Sequence, residues 1–93
     1  MADREWILQQ INEEREEQIW KWGDQASDPD KYPFIWVGIL GEEFGEVAQA
    51  ALRYFDPAEP KKGYVEHIED ELIQTAAVCV AFVEWLRNFY IEE

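Results

Sequence analysis

The residues of this chain that could do chemistry are carboxylates on the apolar sides of helices. In the stretch Gly41-Glu42-Glu43-Phe44-Gly45-Glu46-Val47-Ala48-Gln49-Ala50, a helical advance of about 100° per residue places Glu43 within about 40° of Trp36, Ile39, Val47 and Ala50. Glu43 therefore points inward with them. Glu46, one turn later and about 60° round, sits at the edge of the same stripe and can share a ligand with Glu43. Glu42 lies about 100° away, near Gly38 and Gln49, and reads as a solvated flank. The pattern repeats in the next helical block, where Tyr64, Thr75, Val78, Phe82 and Phe89 fall within about 40° of Glu71, while Glu66, Glu69 and Asp70 do not. His67 and Gln74, one turn before and one after, lie on the same side of Glu71, next to Trp85.

Carboxylates on separate helices cannot stay unpaired in an apolar interior, because desolvating an isolated charge costs several kcal/mol or shifts its pKa until it neutralises. Something positive must join them. One solution is a buried ion network through Arg15, with His67 or Arg53; the other is a divalent metal held by Glu43, Glu46 and Glu71. Spacing alone leaves both open. Arg15 sits at the edge of the face that Ile7, Ile11, Gln18 and Trp22 define, with Glu13, Glu16 and Trp20 outside. Arg53 falls near Glu46 on the wheel, within reach of it or of a phosphate. A lone histidine such as His67 is first a structural residue and second a metal or phosphate ligand.

The elements that must position these groups are three helices. Apolar residues recur at three- and four-residue spacing in three blocks, and no strand-like alternation appears, so the fold class is all-α. Helix 1 is predicted from the N-cap Asp3 to Gly23. A loop follows over Asp24 to Pro33, then helix 2 from Phe34 to Phe55. The Pro57 to Gly63 connector holds Lys61-Lys62, too short a basic run for more than solvation. Helix 3 is predicted from Tyr64 to Tyr90, long enough for a break or kink.

The 93 residues form a single domain, 1–93. That is near the lower limit for a self-sufficient core, so pairing with a second copy is expected. Trp6 and Trp20 on the outer side of helix 1 fit a covering partner. A net charge of −13 repels nucleic acid, and admits a free nucleotide only if cations stand between it and the carboxylates. Cys79, inside the apolar run Ala76 to Val83, reads as a small buried hydrophobe that allows no intrachain disulfide. The N-terminus has no signal pattern, and the apolar window Leu72 to Leu86 is short and holds Gln74 and Glu84. The expectation is a soluble cytoplasmic protein without a membrane partner. No Walker A loop, Gly-x-Gly-x-x-Gly, Cys-His zinc spacing or Ser-His-Asp arrangement is present.

Glu42-Glu43-x-x-Glu46 followed by Glu71 resembles the EExxE…ExxD signature of the MazG-like, all-α nucleoside triphosphate pyrophosphohydrolases. Glu14-Arg15-x-x-Gln18-x-x-Lys21-Trp22-Gly23-x-Gln25 is similar to the N-terminal motif of the small, phage-associated members. Glu71-Leu72-Ile73-Gln74-Thr75-Ala76-Ala77-Val78 resembles their third-helix segment. Nearly the whole chain is covered. The resemblance implies a helical bundle completed by homo-oligomerisation, a homodimer or a tetramer, that cleaves a (deoxy)nucleoside triphosphate into monophosphate and pyrophosphate. It implies Mg²⁺, with Mn²⁺ as a substitute, on Glu43, Glu46, Glu71 and Gln74, the three glutamates being catalytic. The substrate would meet Arg15, Gln18, Lys21, Trp22, Arg53 and His67, and the base would stack on Trp22 or Trp36. Gln74 departs from the signature: where the family has Asp it offers a carbonyl oxygen without charge, which lowers the expected metal affinity. Two other classes stand beside this reading. One is a nucleotide-binding or sensing protein without turnover; the other is a structural helical protein whose inward acids pair with Arg15 and His67.

Overall fold

The computed structural model describes residues 3–59 and 63–91. Helix α1 spans Arg4–Trp22, α2 spans Pro33–Phe55 and α3 spans Val65–Phe89, with a short 3-10 turn at Gln25–Ser27 in the α1–α2 loop. No strand occurs among the described residues. Lys61 and Lys62 lie outside them.

The ends of the helices follow from local chemistry. Asp3 caps α1, its side chain accepting from the Trp6 N–H at 3.2 Å, and satisfies one of the orphan donors of the first turn. Gly23 ends α1 with φ 78° while its N–H donates to the Ile19 carbonyl, a conformation that a side chain would strain. Pro33 opens α2, where its missing N–H costs nothing. The break that the length of helix 3 suggested does not occur. Its interior holds no Gly or Pro, the usual causes of a kink.

Helix α3 is central, and α1 and α2 both pack against it. Ala77 and Ala81 are fully or nearly buried at its surface, and their small side chains let the neighbours approach. The tightest core joins Trp36, Ala81 and Trp85 with Ala26 of the loop, flanked by Phe82 and Leu86. Two side chains of α3 hold that loop down: Trp85 Nε1 donates to the Asp28 carbonyl at 2.8 Å, and Asn88 Nδ2 donates to the Ala26 carbonyl at 3.0 Å.

The single chain is elongated. Its radius of gyration is 15.3 Å with extents of 48 × 29 × 24 Å, against about 12 Å for a compact domain of this length. Large apolar side chains remain exposed along α2, with Val37, Phe44 and Phe55 within about 20° of one another on the wheel. Cys79 is exposed rather than buried. The run Ala76 to Val83 is apolar on every side, so its inward positions, Ala77, Val78 and Ala81, cannot be told from its outward ones by hydrophobicity. For the same reason α3 contains an 18-residue window of mean hydropathy 1.2 and passes as a membrane span by length and composition; here it is the helix on which the other two pack.

Candidate metal centre and adjoining cleft

Glu43 and Glu46 stand one turn apart on α2, and the packing of α3 against α2 brings Glu71 to them. One oxygen from each of the three lies within 4.8 Å of the others. Glu43 and Glu71 are half-buried and Glu46 is more open. The Oε2 atoms of Glu43 and of Glu71 are buried and have no hydrogen-bond partner among the described residues. Burial pushes the Glu43 carboxyl above the ordinary carboxylate range, and the charges of Glu46, Glu71, Glu42 and Glu14 push it further. Burial also raises Glu71, followed by its hydrogen bond with Glu46 and the charge of Glu46, while His67 pulls the other way. The His67 Nε2 lies 3.8 Å from the Glu71 Oε1, on a side chain that is 55 % exposed.

Arg15 is buried, as its wheel position predicts, but its partners are not the inward acids. Its Nε and Nη2 donate to the two carboxylate oxygens of Glu84 at 3.2 and 3.1 Å, and Nη2 also donates to Asp24 Oδ1 at 3.0 Å. Burial works against the guanidinium charge, and the hydrogen bonds to Glu84 and Asp24 outweigh it. The buried ion network through Arg15 therefore exists with other carboxylates, and Glu43 and Glu71 have no arginine or lysine partner among the ion pairs of the described residues.

Between α1 and α2, over α3, opens a cleft of about 530 Å³ lined by Arg15, Gln18 and Trp22 from α1, Trp36, Ile39, Glu42 and Glu43 from α2, and Val78 and Ala81 from α3. Glu43 belongs both to this cleft and to the carboxylate cluster. Trp22, expected on the inner face of helix 1, is 72 % exposed, because the last residue of α1 overhangs the open cleft instead of a facing helix. Glu42, expected only as a flank, is exposed but also lines the cleft.

Three expected site residues lie elsewhere. Gln74 lines a groove on the α1–α3 side, with Glu14, Glu17, Glu69 and Asp70, and its backbone carbonyl accepts from Gln18 Nε2 at 3.4 Å. The rotation of about 60° between Glu71 and Gln74 is enough to turn one toward α2 and the other toward α1. Lys21 pairs with Glu17 at 3.0 Å on the exposed side of α1. Arg53, about two turns beyond Glu46, lines a shallow depression with Asp56 and Glu59.

Compared with models of known families, with curated proteins and with solved structures, the chain has no match. The site's chemistry rests on its own geometry. Three convergent carboxylates are hard oxygen donors of the kind that Mg²⁺, Mn²⁺ and Ca²⁺ take. Two buried oxygens without a hydrogen-bond donor are the local deficit that a cation fills.

Proposed function

We propose that the chain is a Mg²⁺-dependent nucleoside triphosphate pyrophosphohydrolase, the activity its MazG-like resemblance implies, with Mn²⁺ able to replace Mg²⁺. The observation that carries the reading is the cluster of Glu43, Glu46 and Glu71, in which one oxygen from each residue lies within 4.8 Å of the others, together with the buried, unpartnered Oε2 atoms of Glu43 and Glu71. These residues fit a divalent ion. When bound, such an ion neutralises phosphate charge and lowers the pKa of a coordinated water. Arg15 does not compete for the site, because Asp24 and Glu84 already hold its charge.

The chain's own residues divide the remaining work. The cleft that Glu43 shares takes the nucleoside, with the polyphosphate directed to the carboxylates. Water adds to the α-phosphorus, the bond to the bridging oxygen breaks, and pyrophosphate leaves. Glu46, the most open of the three acids, takes the proton of the attacking water on a carboxylate oxygen. The exposed imidazole of His67, beside Glu71, lies where it can donate to a phosphate oxygen. A surface of net charge −13 favours the metal complex of the substrate over the free anion.

Thermal unfolding with EDTA, with Mg²⁺ or Mn²⁺, and with metal plus a panel of nucleoside triphosphates, read together with pyrophosphate release, tests the reading. Metal-dependent stabilisation with release is the expected result. Stabilisation without release would make the protein a nucleotide binder, and no response to metal would remove the metal centre.

The proposed working form is a homodimer. Support comes from the elongated single chain and from Phe44, 69 % exposed in the middle of the apolar stripe of α2. Sedimentation is expected to give twice the chain mass, and Phe44→Asp to give the monomer with a lower melting temperature. A monomeric wild type at micromolar concentration would remove this part of the proposal and leave the metal centre standing.

A further inference from the structure

Along the seam between α1 and α3 two hollows adjoin. The first, about 330 Å³, is apolar and lies between Ile7 of α1, Phe55 at the end of α2, and Val65 and Leu72 of α3, with the buried Ile68 also lining it. The second, about 270 Å³, is walled by acids: Glu13, Glu14 and Glu17 from α1, and Glu69 and Asp70 from α3. Trp6, Glu69 and Ile73 belong to both, so the hollows form one groove with an apolar end and an acidic end. Ile7, Phe55, Val65 and Leu72 are exposed, and Trp6 at the junction is 44 % exposed. A contiguous apolar surface left open beside polar residues marks a contact site.

The acidic end fixes the sign of what can lie there. Lys21 answers Glu17 and Gln9 donates to Glu13, which still leaves the end strongly negative. Burial and the charge of Glu17, with a smaller push from Asp70, hold the Glu14 carboxyl above the ordinary carboxylate range against the pull of Lys21 and Gln18. These acids are spread along two helices; the convergence of three carboxylates among the described residues is that of Glu43, Glu46 and Glu71. An occupant must therefore bring apolar side chains and positive charge together. A second copy of a chain with net charge −13 brings the wrong sign, and so does nucleic acid. We infer that the groove docks a short helical segment of a different protein, in which an apolar turn is followed by a basic one. The apolar side chains enter between Ile7, Phe55 and Leu72, and the Lys or Arg side chains lay their stems across Trp6 with their charges on the acids. From Val65 to Gln74 the groove runs about 14 Å along α3, the length of about two and a half helical turns. The metal centre, on the α2 side of α3, has no part in this contact.

The test is fluorescence anisotropy, in EDTA throughout, with a labelled alanine-based helical peptide that carries leucines at i, i+3 and i+4 in its first half and lysines in its second. Two control peptides replace the lysines by glutamate or the leucines by alanine, and each is expected to bind at least about tenfold more weakly. Trp6→Ala and Leu72→Asp should each weaken the leucine–lysine peptide by about tenfold or more. Glu13→Gln with Glu69→Gln, which changes charge at the acidic end without touching the apolar one, should weaken it by about tenfold. Glu16→Gln with Asp30→Asn, which removes the same charge outside the groove, should change it less than about twofold. Phe44→Asp should keep wild-type affinity, which separates the groove from the proposed contact between copies. Equal losses in the two acid pairs would mean attraction by net charge alone and would overturn the proposal. So would a leucine–lysine peptide that binds no tighter than its controls, or Trp6→Ala and Leu72→Asp proteins that bind as the wild type does. A lower sedimentation mass in Trp6→Ala or Leu72→Asp than in the wild type would assign the groove to the interface between copies and overturn it as well.

Discussion

Glu43→Gln is expected to give a folded protein that is at least as stable as the wild type in EDTA, that Mg²⁺ no longer stabilises, and that releases pyrophosphate on the order of a thousandfold more slowly. The substitution keeps the side chain's shape and removes a charge that is desolvated and repelled by Glu46 and Glu71. Without metal that charge is unfavourable, so its removal relieves the fold. In the proposed metal-bound form it would be a ligand, and its loss would take away the stabilisation that binding supplies, about 2.7 kcal/mol at a hundredfold excess over Kd. For a domain of this size that is on the order of 10–20 °C in Tm.

The same groups fix the sign of the pH dependence. Both Glu43 and Glu71 hold their protons more tightly in the folded than in the unfolded state. In EDTA their contribution to stability is therefore fully present below the ordinary carboxylate range, and is lost as pH rises from that range through their raised values. Metal binds the deprotonated form, so the increment from Mg²⁺ grows over the same window. Melting curves with EDTA and with Mg²⁺ should diverge as pH rises, and Glu43→Gln with Glu71→Gln should remove the divergence. Parallel curves would mean that these carboxylates do not hold the ion.

What could be read from the sequence was what a single helix decides. The inward side of Glu43 and Glu71 follows from neighbours within two turns, and the caps at Asp3 and Gly23 from residues three or four positions away. The convergence of Glu43 and Glu71 was legible because each lies on an apolar face, and apolar faces meet. Choices that depend on which neighbour a face meets were not. Gln74 differs from Glu71 by a modest rotation, yet that rotation decides between α1 and α2. Arg15 was legible as buried, but its partner Glu84 is 69 positions along the chain and stands in an apolar window where it looked like an interruption. Cys79 failed for lack of periodicity, and Trp22 because a helix end overhangs a cleft whose existence depends on the other two helices.

Glu84→Gln is expected to destabilise the protein by about 2 kcal/mol, on the order of 10 °C in Tm, with the stabilisation by Mg²⁺ preserved. Arg15 is 5 % exposed and cannot be deprotonated to escape its environment. Glu84 gives it a two-pronged charged partner, which an amide can replace with only one neutral acceptor. The loss stays below the roughly 3–5 kcal/mol of a fully broken buried pair, because Asp24 remains and because Glu84 is itself 43 % exposed. Asp24 should become the critical partner in the variant, so Asp24→Asn and Glu84→Gln together should cost more than their sum. This latch also answers pH with the opposite sign to the carboxylate cluster. The Ser27 hydroxyl and then Arg15 hold Asp24 below the ordinary carboxylate range, so its contribution is present above that range and is lost as pH falls through its lowered value. Comparison with Glu43→Gln then decides which carboxylates own the arginine. Destabilisation by Glu84→Gln and not by Glu43→Gln assigns Arg15 to the latch and leaves the inward cluster to a cation from solution; the reverse result would tie Arg15 to Glu43 and remove the need for a metal.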